Sequence, residues 1–383
     1  MDNIAGRKSG LTWVVHISVA LLVALWLFPT VGLFVSSFRT ADQISTSGWW
    51  ASLFPAEQSI QLRAAPPSEQ VQDGALYVIE GNLFEVEGRD TAEISVWGTS
   101  ARDVAAYAAG DTAEMRGGER ITVQANGDYR LESDVEMDGR RGARVFVTIT
   151  APPEFTLENY RNILGPDNRE GMAKAFFNTL TVTIPATIIP IHVAAFAAYA
   201  LAWMDFPGRA LLIAAIVALL VVPLQLALIP LLKLHNEIGI GKGYIGTWLA
   251  HTGFGMPLAI YLLRNYMVGL PRDIIENAKV DGATDFQIFV KIILPLSFPA
   301  LASFAIFQFL WTWNDLLVAL VFLIDATGET TVMTRQIVEL LGTRGGNWEI
   351  LATAAFVSIA VPLAVFFLMQ RYLVRGLLAG SVK

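Results

Sequence analysis

Cysteine is absent from all 383 residues. That excludes a disulfide framework, thiol catalysis and thiolate metal sites, and leaves the redox compartment unconstrained. Charge is scarce, at 16% of residues, and there are only four histidines. His16, His192, His235 and His251 stand far apart and form no metal-ligand spacing. Lysine is missing from Ser36 to Gly171, a stretch with 22 acidic residues against 12 arginines. Its net charge of −10 exceeds the chain's own −7. A nucleic-acid partner is therefore disfavoured, because no basic face is left to neutralise phosphates. A P-loop is also missing: Gly241-Lys242 is followed by Gly243 and lacks the preceding glycine spacing. The chain is not expected to hydrolyse ATP, to be an enzyme or to bind a cofactor or metal.

Apolar residues are abundant, at 54% of the chain, with a mean hydropathy of +0.49. These values place it among membrane proteins. Six apolar runs are long enough to span: Leu11–Val35, Ala175–Met204, Ala210–Leu232, Tyr244–Tyr266, Ser297–Ile324 and Ile350–Leu373. The first is too long for a signal-peptide core and lacks a small-x-small cleavage site, so it reads as an uncleaved span. Pro185 and Pro190 predict a kink in the second. Six spans put both termini on one side. Arg7, Lys8, Arg209, Arg264, Arg272, Lys279, Lys291, Arg371, Arg375 and Lys383 fall together on that side. The positive-inside rule then makes it cytoplasmic. Lys233, Lys242, Arg335 and Arg344 lie opposite, among Glu237, Asp325, Glu329 and Glu339.

The chain divides into residues 1–35 with the first span, an extracytoplasmic segment 36–174, and a membrane core 175–383. Within the middle segment, β-type runs cover Ala75–Ile79, Glu93–Trp97, Arg120–Gln124, Tyr129–Glu132 and Val145–Ile149. Asn126-Gly127-Asp128 supplies a hairpin turn. A small, mostly β domain is predicted over Ser68–Thr150. Ala64-Ala65-Pro66-Pro67 and Pro152-Pro153 read as hinges beside it.

Pro271–Pro299 is the charged exception among the apolar runs. Asp273 is a plausible N-cap for a helix to Val280, Asp281-Gly282 breaks it, and Phe286, Phe289, Val290 and Ile293 continue at helical spacing. The segment reads as two short helices meeting at Gly282-Ala283. Glu276, Ala278, Asp281, Gly282, Ala283, Phe289 and Pro295 stand at the spacing of the EAA loop. This stretch resembles that loop in ABC-transporter permeases of the import type, with Asn277 replacing the middle Ala. The carbohydrate branch is resembled further by Val222-Pro223-Leu224-Gln225, Ile229-Pro230-Leu231, Phe155–Tyr160, Trp313-Asn314-Asp315 and the ending Gln370 to Lys383. The tail resembles the maltose-type second permease subunit, and the insert resembles the α-glucoside permease group.

That resemblance implies an all-α transmembrane fold, the six-helix type I importer permease, with a small mostly β extracytoplasmic insert. It implies a subunit of the bacterial cytoplasmic (inner) membrane with both termini cytoplasmic. Its expected partners are membrane lipid, a homologous second permease forming a heterodimer, an ABC ATPase dimer that binds the ATP, and an extracytoplasmic sugar-binding protein. The EAA residues would couple to the ATPase, and Gly342, Arg344, Gly345, Gly346, Asn347 and Trp348 would reach the binding protein. The cargo implied is an α-glucoside such as maltose, sucrose or trehalose.

Sugar recognition needs polar groups for hydroxyls and aromatic faces for pyranose C–H surfaces. Gln225, Gln308, Trp311, Trp313, Asn314 and Asp315 supply them within or near spans. The same residue types also bond helix to helix or sit at the interface. Two other readings stay open. One is an ABC import permease for another small solute. The other is an ion-coupled secondary transporter, for which only Asp315 offers an intramembrane carboxylate.

Overall fold

The computed structural model describes residues 10–86, 88, 92–115, 117–165, 171–323, 327–343 and 346–378. The chain falls into two units, Met1–Leu157 and Glu158–Lys383.

The first unit opens with helix α1, Gly10–Ser36, which has no charged residue in its first or last turn and buries only Gly32. Helix α2, Ala41–Thr46, starts where Thr40 Oγ1 accepts the Gln43 N–H at 3.4 Å. A single 3-10 turn follows at Trp49–Ala51. Among the described residues nine strands come next: β1 Ala56–Arg63, β2 Val71–Asp73, β3 Leu76–Asn82, β4 Ile94–Gly98, β5 Tyr107–Ala108, β6 Thr112–Glu114, β7 Arg120–Val123, β8 Asp128–Ser133 and β9 Arg144–Ala151. The short helix α3, Leu83–Val86, follows β3. Pairing is antiparallel in two sheets, β1-β9-β4-β5 and β2-β3-β8-β7-β6. Alternate residues of both sheets, among them Leu62, Val147 and Trp97 from one and Ile79, Ile121 and Leu131 from the other, share one core.

Two local features explain the register. The β7–β8 hairpin turns at Gly127, whose φ of +90° favours glycine, and Asn126 brackets Asp128 through both its amide and its carbonyl oxygen. The hinge reading of Ala64-Ala65 needs correction. Both alanines are buried; the Ala64 N–H donates to the Ala143 carbonyl at 2.9 Å and the Ala65 N–H to the Tyr129 hydroxyl at 2.7 Å. With both amides bound, this stretch is the fixed corner where the chain leaves one sheet for the other. Burial pushes the Tyr129 phenol up from its ordinary value, so it stays a neutral partner there. β1 lies ahead of Ser68; its exposed Glu57, Ser59 and Gln61 alternate with more buried positions on a strand rich in polar residues.

The second unit is helical. In order it contains α4 Glu158–Leu164, α5 Met172–Trp203, α6 Arg209–Leu219, α7 Leu224–Glu237, α8 Tyr244–Val268, α9 Arg272–Val280, α10 Asp285–Ile288, α11 Leu294–Leu296, α12 Phe298–Trp313, α13 Leu317–Phe322, α14 Met333–Thr343 and α15 Trp348–Leu378. A π-turn, Phe289–Ile293, joins α10 to α11. α5 stays helical through Pro185 and Pro190.

By length and composition, α1, α5 and the Trp348–Tyr372 part of α15 suffice to cross a membrane, and two bent pairs raise the number to five among the described residues. The Ala210–Leu232 run is therefore not one rod: α6 and α7 meet at 109°. The Ser297–Ile324 run also divides. α12 stops at Trp313, α13 resumes at Leu317, and Ile324 lies outside the described residues. α8 is long enough at 25 residues but less apolar, with Thr247, His251, Thr252 and Gly255 buried. It packs against α5, α12 and α13, so these positions face protein and not lipid.

Candidate coupling loop and substrate pathway

The loop between α8 and α12 is built from local rules. α9 begins at Arg272, after Pro271. Asp273 therefore sits in the first turn and not at the N-cap; fixed at φ −58°, Pro271 pre-sets the entry without an N–H to satisfy. Asp273 there favours the helix dipole. Ile275 is buried beneath α9, while Glu276 is exposed and lies 3.6 Å from Arg272 Nε. At the far end Asp281 is the C-cap. The Gly282 N–H then donates to the Lys279 carbonyl and the Ala283 N–H to the Ala278 carbonyl, both at 3.0 Å. These are the two bonds of a Schellman ending, and Gly282 has the φ of +81° that it requires. Ala278 and Ala283 both pack against the core below, which larger side chains would hold apart.

Thr284 starts the second helix. Its hydroxyl accepts from the Gln287 N–H at 3.3 Å, and its own N–H donates to Gln287 Oε1 at 2.9 Å. This capping box stands in the sequence as Thr-x-x-Gln and was missed. Lys279 Nζ lies 3.3 Å from Asp285 across the corner, and the Tyr199 hydroxyl donates to Asp285 at 3.4 Å from α5. Phe289 is buried between Phe196 and Tyr199, with ring centroids at 4.7 and 5.2 Å. Pro295 follows the π-turn. The wider turn absorbs the proline ring and its missing N–H before the chain bends by 69° at Ser297 into α12. The corner is thus rigid within itself and bolted to α5, with Val280 and Phe286 left exposed.

The six pathway residues do not share one environment. Gln308 is buried; its Nε2 donates to the Ala186 carbonyl at 3.1 Å and to the His251 carbonyl at 3.3 Å. It ties α12 to α5 and α8. A Cβ on Gly255 would come within 2.5 Å of Gln308 Oε1, so a larger residue there would have to shift that amide. Trp311 is partly exposed and sets its ring edge-on to His251 at 5.9 Å. Gln308 and Trp311 both line a cavity of about 520 Å³, with Gly255, Pro257, Leu224 and Leu231. Gln225, beside Leu224, is exposed at the start of α7.

Trp313 points elsewhere. It is 1% exposed, stacks on Phe309 at 5.6 Å, and donates from Nε1 to the Ser358 carbonyl at 2.9 Å. It is a core residue between α12 and α15. Asn314 is exposed and donates to the Leu310 carbonyl at 2.8 Å. Asp315, just ahead of α13, accepts the Val318 N–H at 2.9 Å and lies 3.8 Å from His251 Nε2. The sequence offered no cue for the His251–Asp315 pairing, because the two are 64 positions apart.

Beyond α13, the Thr334 hydroxyl donates to the Asp315 carbonyl, and Asn178 Nδ2 donates to the Glu329 and Thr331 carbonyls. Lys174 pairs with Glu329. Gly342 belongs to the end of α14; Gly346 is exposed, Asn347 precedes α15, and Trp348, its first residue, is 60% exposed. Arg344 and Gly345 lie outside the described residues, as do Arg7, Lys8, Asp325 and Lys383.

Among known families, the one described as the binding-protein-dependent transport system inner membrane component matches residues 176–378. The chain belongs to this family. The permease is 59% identical over 382 residues to the alpha-glucoside transport system permease protein AglG of Rhizobium meliloti (strain 1021), covering 98% of each chain. It is 56% identical over 230 residues to the osmoprotective compounds uptake permease protein GgtD of Synechocystis sp., covering 60% of this chain and 76% of that one. Among solved structures, a bacterial ABC transporter involved in import of the acidic polysaccharide alginate aligns with a TM-score of 0.48 at 21% identity, over 58% of this chain and 81% of that one. The permease is accordingly a membrane transport subunit of the ABC import type, with helical membrane segments and β sheets in its N-terminal region.

Proposed function

We propose that this permease forms one half of a heterodimeric pore that imports α-glucosides, di- or oligosaccharides, at the expense of ATP hydrolysed by a separate ATPase dimer. The observation that carries the substrate class is the 59% identity over 98% of the chain to a permease named for α-glucosides. That match runs through the β-rich unit as well as the helical one.

Six spans place both termini and the Asp281–Thr284 corner in the cytoplasm, and α8 completes the six. Glu276, Asp281, Val280 and Phe286 enter a cleft of the ATPase. Gly282 sets the corner, Ala278 and Ala283 permit close approach, and Phe289 with Pro295 passes the push to the spans. A corner locked by a Schellman ending, a capping box and an ion pair suits rigid-body transmission. Gln308 and Trp311 face the sugar, one as a hydrogen-bonding amide and one as an aromatic face. The β-rich unit stands outside, and with the Gly342–Trp348 segment it meets the sugar-binding protein.

The test is co-purification from native membrane followed by ATPase assay. A second permease and an ATPase should accompany this chain, and a binding protein loaded with an α-glucoside should stimulate turnover. Stimulation by a different solute instead, as the relative named for osmoprotective compounds would suggest, would move the substrate class and keep the importer. A chain that purifies alone and moves solute under an ion gradient without ATP would overturn the importer.

A further inference from the structure

The turn after α1 carries an apolar surface that the transport reading does not use. α1 has 27 residues and is about 40 Å long at 1.5 Å per residue. A bilayer's hydrocarbon core takes about 30 Å, so roughly two helical turns are left for the interface. Beyond Ser36 the chain doubles back. Arg39, 2% exposed, holds the reversal: Nη1 donates to the Ser47 carbonyl at 2.9 Å, and Nη2 donates to the Gln43 carbonyl and the Ser47 hydroxyl, each at 2.6 Å.

This returns Trp49 and Trp50 to the side of α1. Trp49 seats on Gly32, where a Cβ would come within 2.6 Å of its Nε1. The Phe28 ring lies 4.6 Å from Trp49 and 6.2 Å from Trp50. Gly48 likewise leaves room for the Trp50 ring, which a Cβ would approach at 2.4 Å. Phe28 is two turns, about 12 Å, before the end of α1, so the tryptophans stand beside the helix and not beyond it. Trp50, Leu53 and Phe54 are nevertheless 67, 72 and 68% exposed. Phe28, in contact with both tryptophans and itself half exposed, joins them to the apolar surface of α1, where Leu25, one turn earlier, is exposed in the same way. It ends at β1, where Glu57 faces outward.

We propose that residues 49–54 form a foot that lies in the headgroup layer of the lipid bilayer and seats the β-rich unit on the membrane. The occupant of this face is lipid. It continues the lipid-facing surface of a spanning helix, at the height where amphipathic tryptophans are enriched. Gly32 and Gly48 shape the contact, and Arg39 fixes the reversal that makes it.

The absence of native cysteine gives a clean test. Leu53→Cys, Phe54→Cys and a reference, Val135→Cys on the β-rich unit (71% exposed), are each made in the full chain. Each is spin-labelled and placed in phosphatidylcholine–phosphatidylglycerol nanodiscs. Accessibility to oxygen, which partitions into lipid, is compared with accessibility to a water-soluble nickel chelate. Positions 53 and 54 should favour oxygen and collide with nickel several-fold less than position 135. Adding Gly32→Leu, which displaces Trp49, should shrink that contrast. Equal nickel accessibility at all three positions would mean a solvated turn and would overturn the proposal. Exclusion of both reagents at 53 and 54 would mean a protein covers the face, and would overturn it too.

Discussion

Two corners in the helical unit invite comparison, Asp281–Thr284 and Asn314–Leu316. Each interrupts a helix next to an aspartate, but only the second lies in a segment rich in aromatic residues. They are held by different physics. The first is closed by bonds between near neighbours: Gly282 to Lys279, Ala283 to Ala278, Thr284 to Gln287. The second begins with a local bond, the Val318 N–H to Asp315, but its setting comes from distant elements, with His251 on α8 and Thr334 on α14. A locally closed corner can move as a rigid piece. A corner wired to several helices shifts only when those helices shift relative to one another.

The sharpest way to break this contrast is Gly282→Val. A β-branched residue at φ +81° is strained by about 1–2 kcal/mol and cannot keep the Schellman geometry. Uptake should fall to background while immunoblots of the membrane fraction still find the chain; normal uptake would remove the corner from coupling. Trp313→Ala and Trp311→Ala should separate packing from pathway. The first empties a buried site at a cost of about 3–5 kcal/mol and should lower thermal stability in detergent. The second should leave the melting temperature near that of the parent and reduce uptake. Gln308→Leu leaves the Ala186 and His251 carbonyls without their donor, for about 1–3 kcal/mol. Its effect should appear in both stability and transport, which a residue that only packs would not give. Lys279→Ala removes an exposed ion pair with Asp285, expected at about 0.2–1 kcal/mol. Uptake should drop slightly, and more at low salt than at high salt.

The comparison also explains what could be read beforehand. The loop's helices, its glycine corner and its link to the membrane are encoded within a few positions, so spacing alone exposed them. The β7–β8 hairpin was legible in the same way, through Asn126-Gly127. Strands β1, β2, β5 and β6 escaped because two are rich in polar residues and the others are two or three residues long. Hinges were read at Ala64-Ala65 from composition, whereas partners from β8 and the β9 approach fix the backbone there. On α12, Gln308, Trp311 and Trp313 looked equivalent, since each is a polar or aromatic residue in an apolar run.

The sequence by itself determined that this chain lives in a membrane, which stretch forms its charged loop and which family of transporters it serves. The first two follow from apolar run lengths and short-range spacing and the family from the resemblance of short motifs, and none of the three needs a distant contact. Only the tertiary structure decided which side chains face the 520 Å³ cavity and which are spent on packing. A helix carries residues around its whole circumference, and the neighbours α5, α8 and α15 determine which side is core. The same holds for His251 and Asp315, whose proximity across 64 positions exists only once the helices have packed.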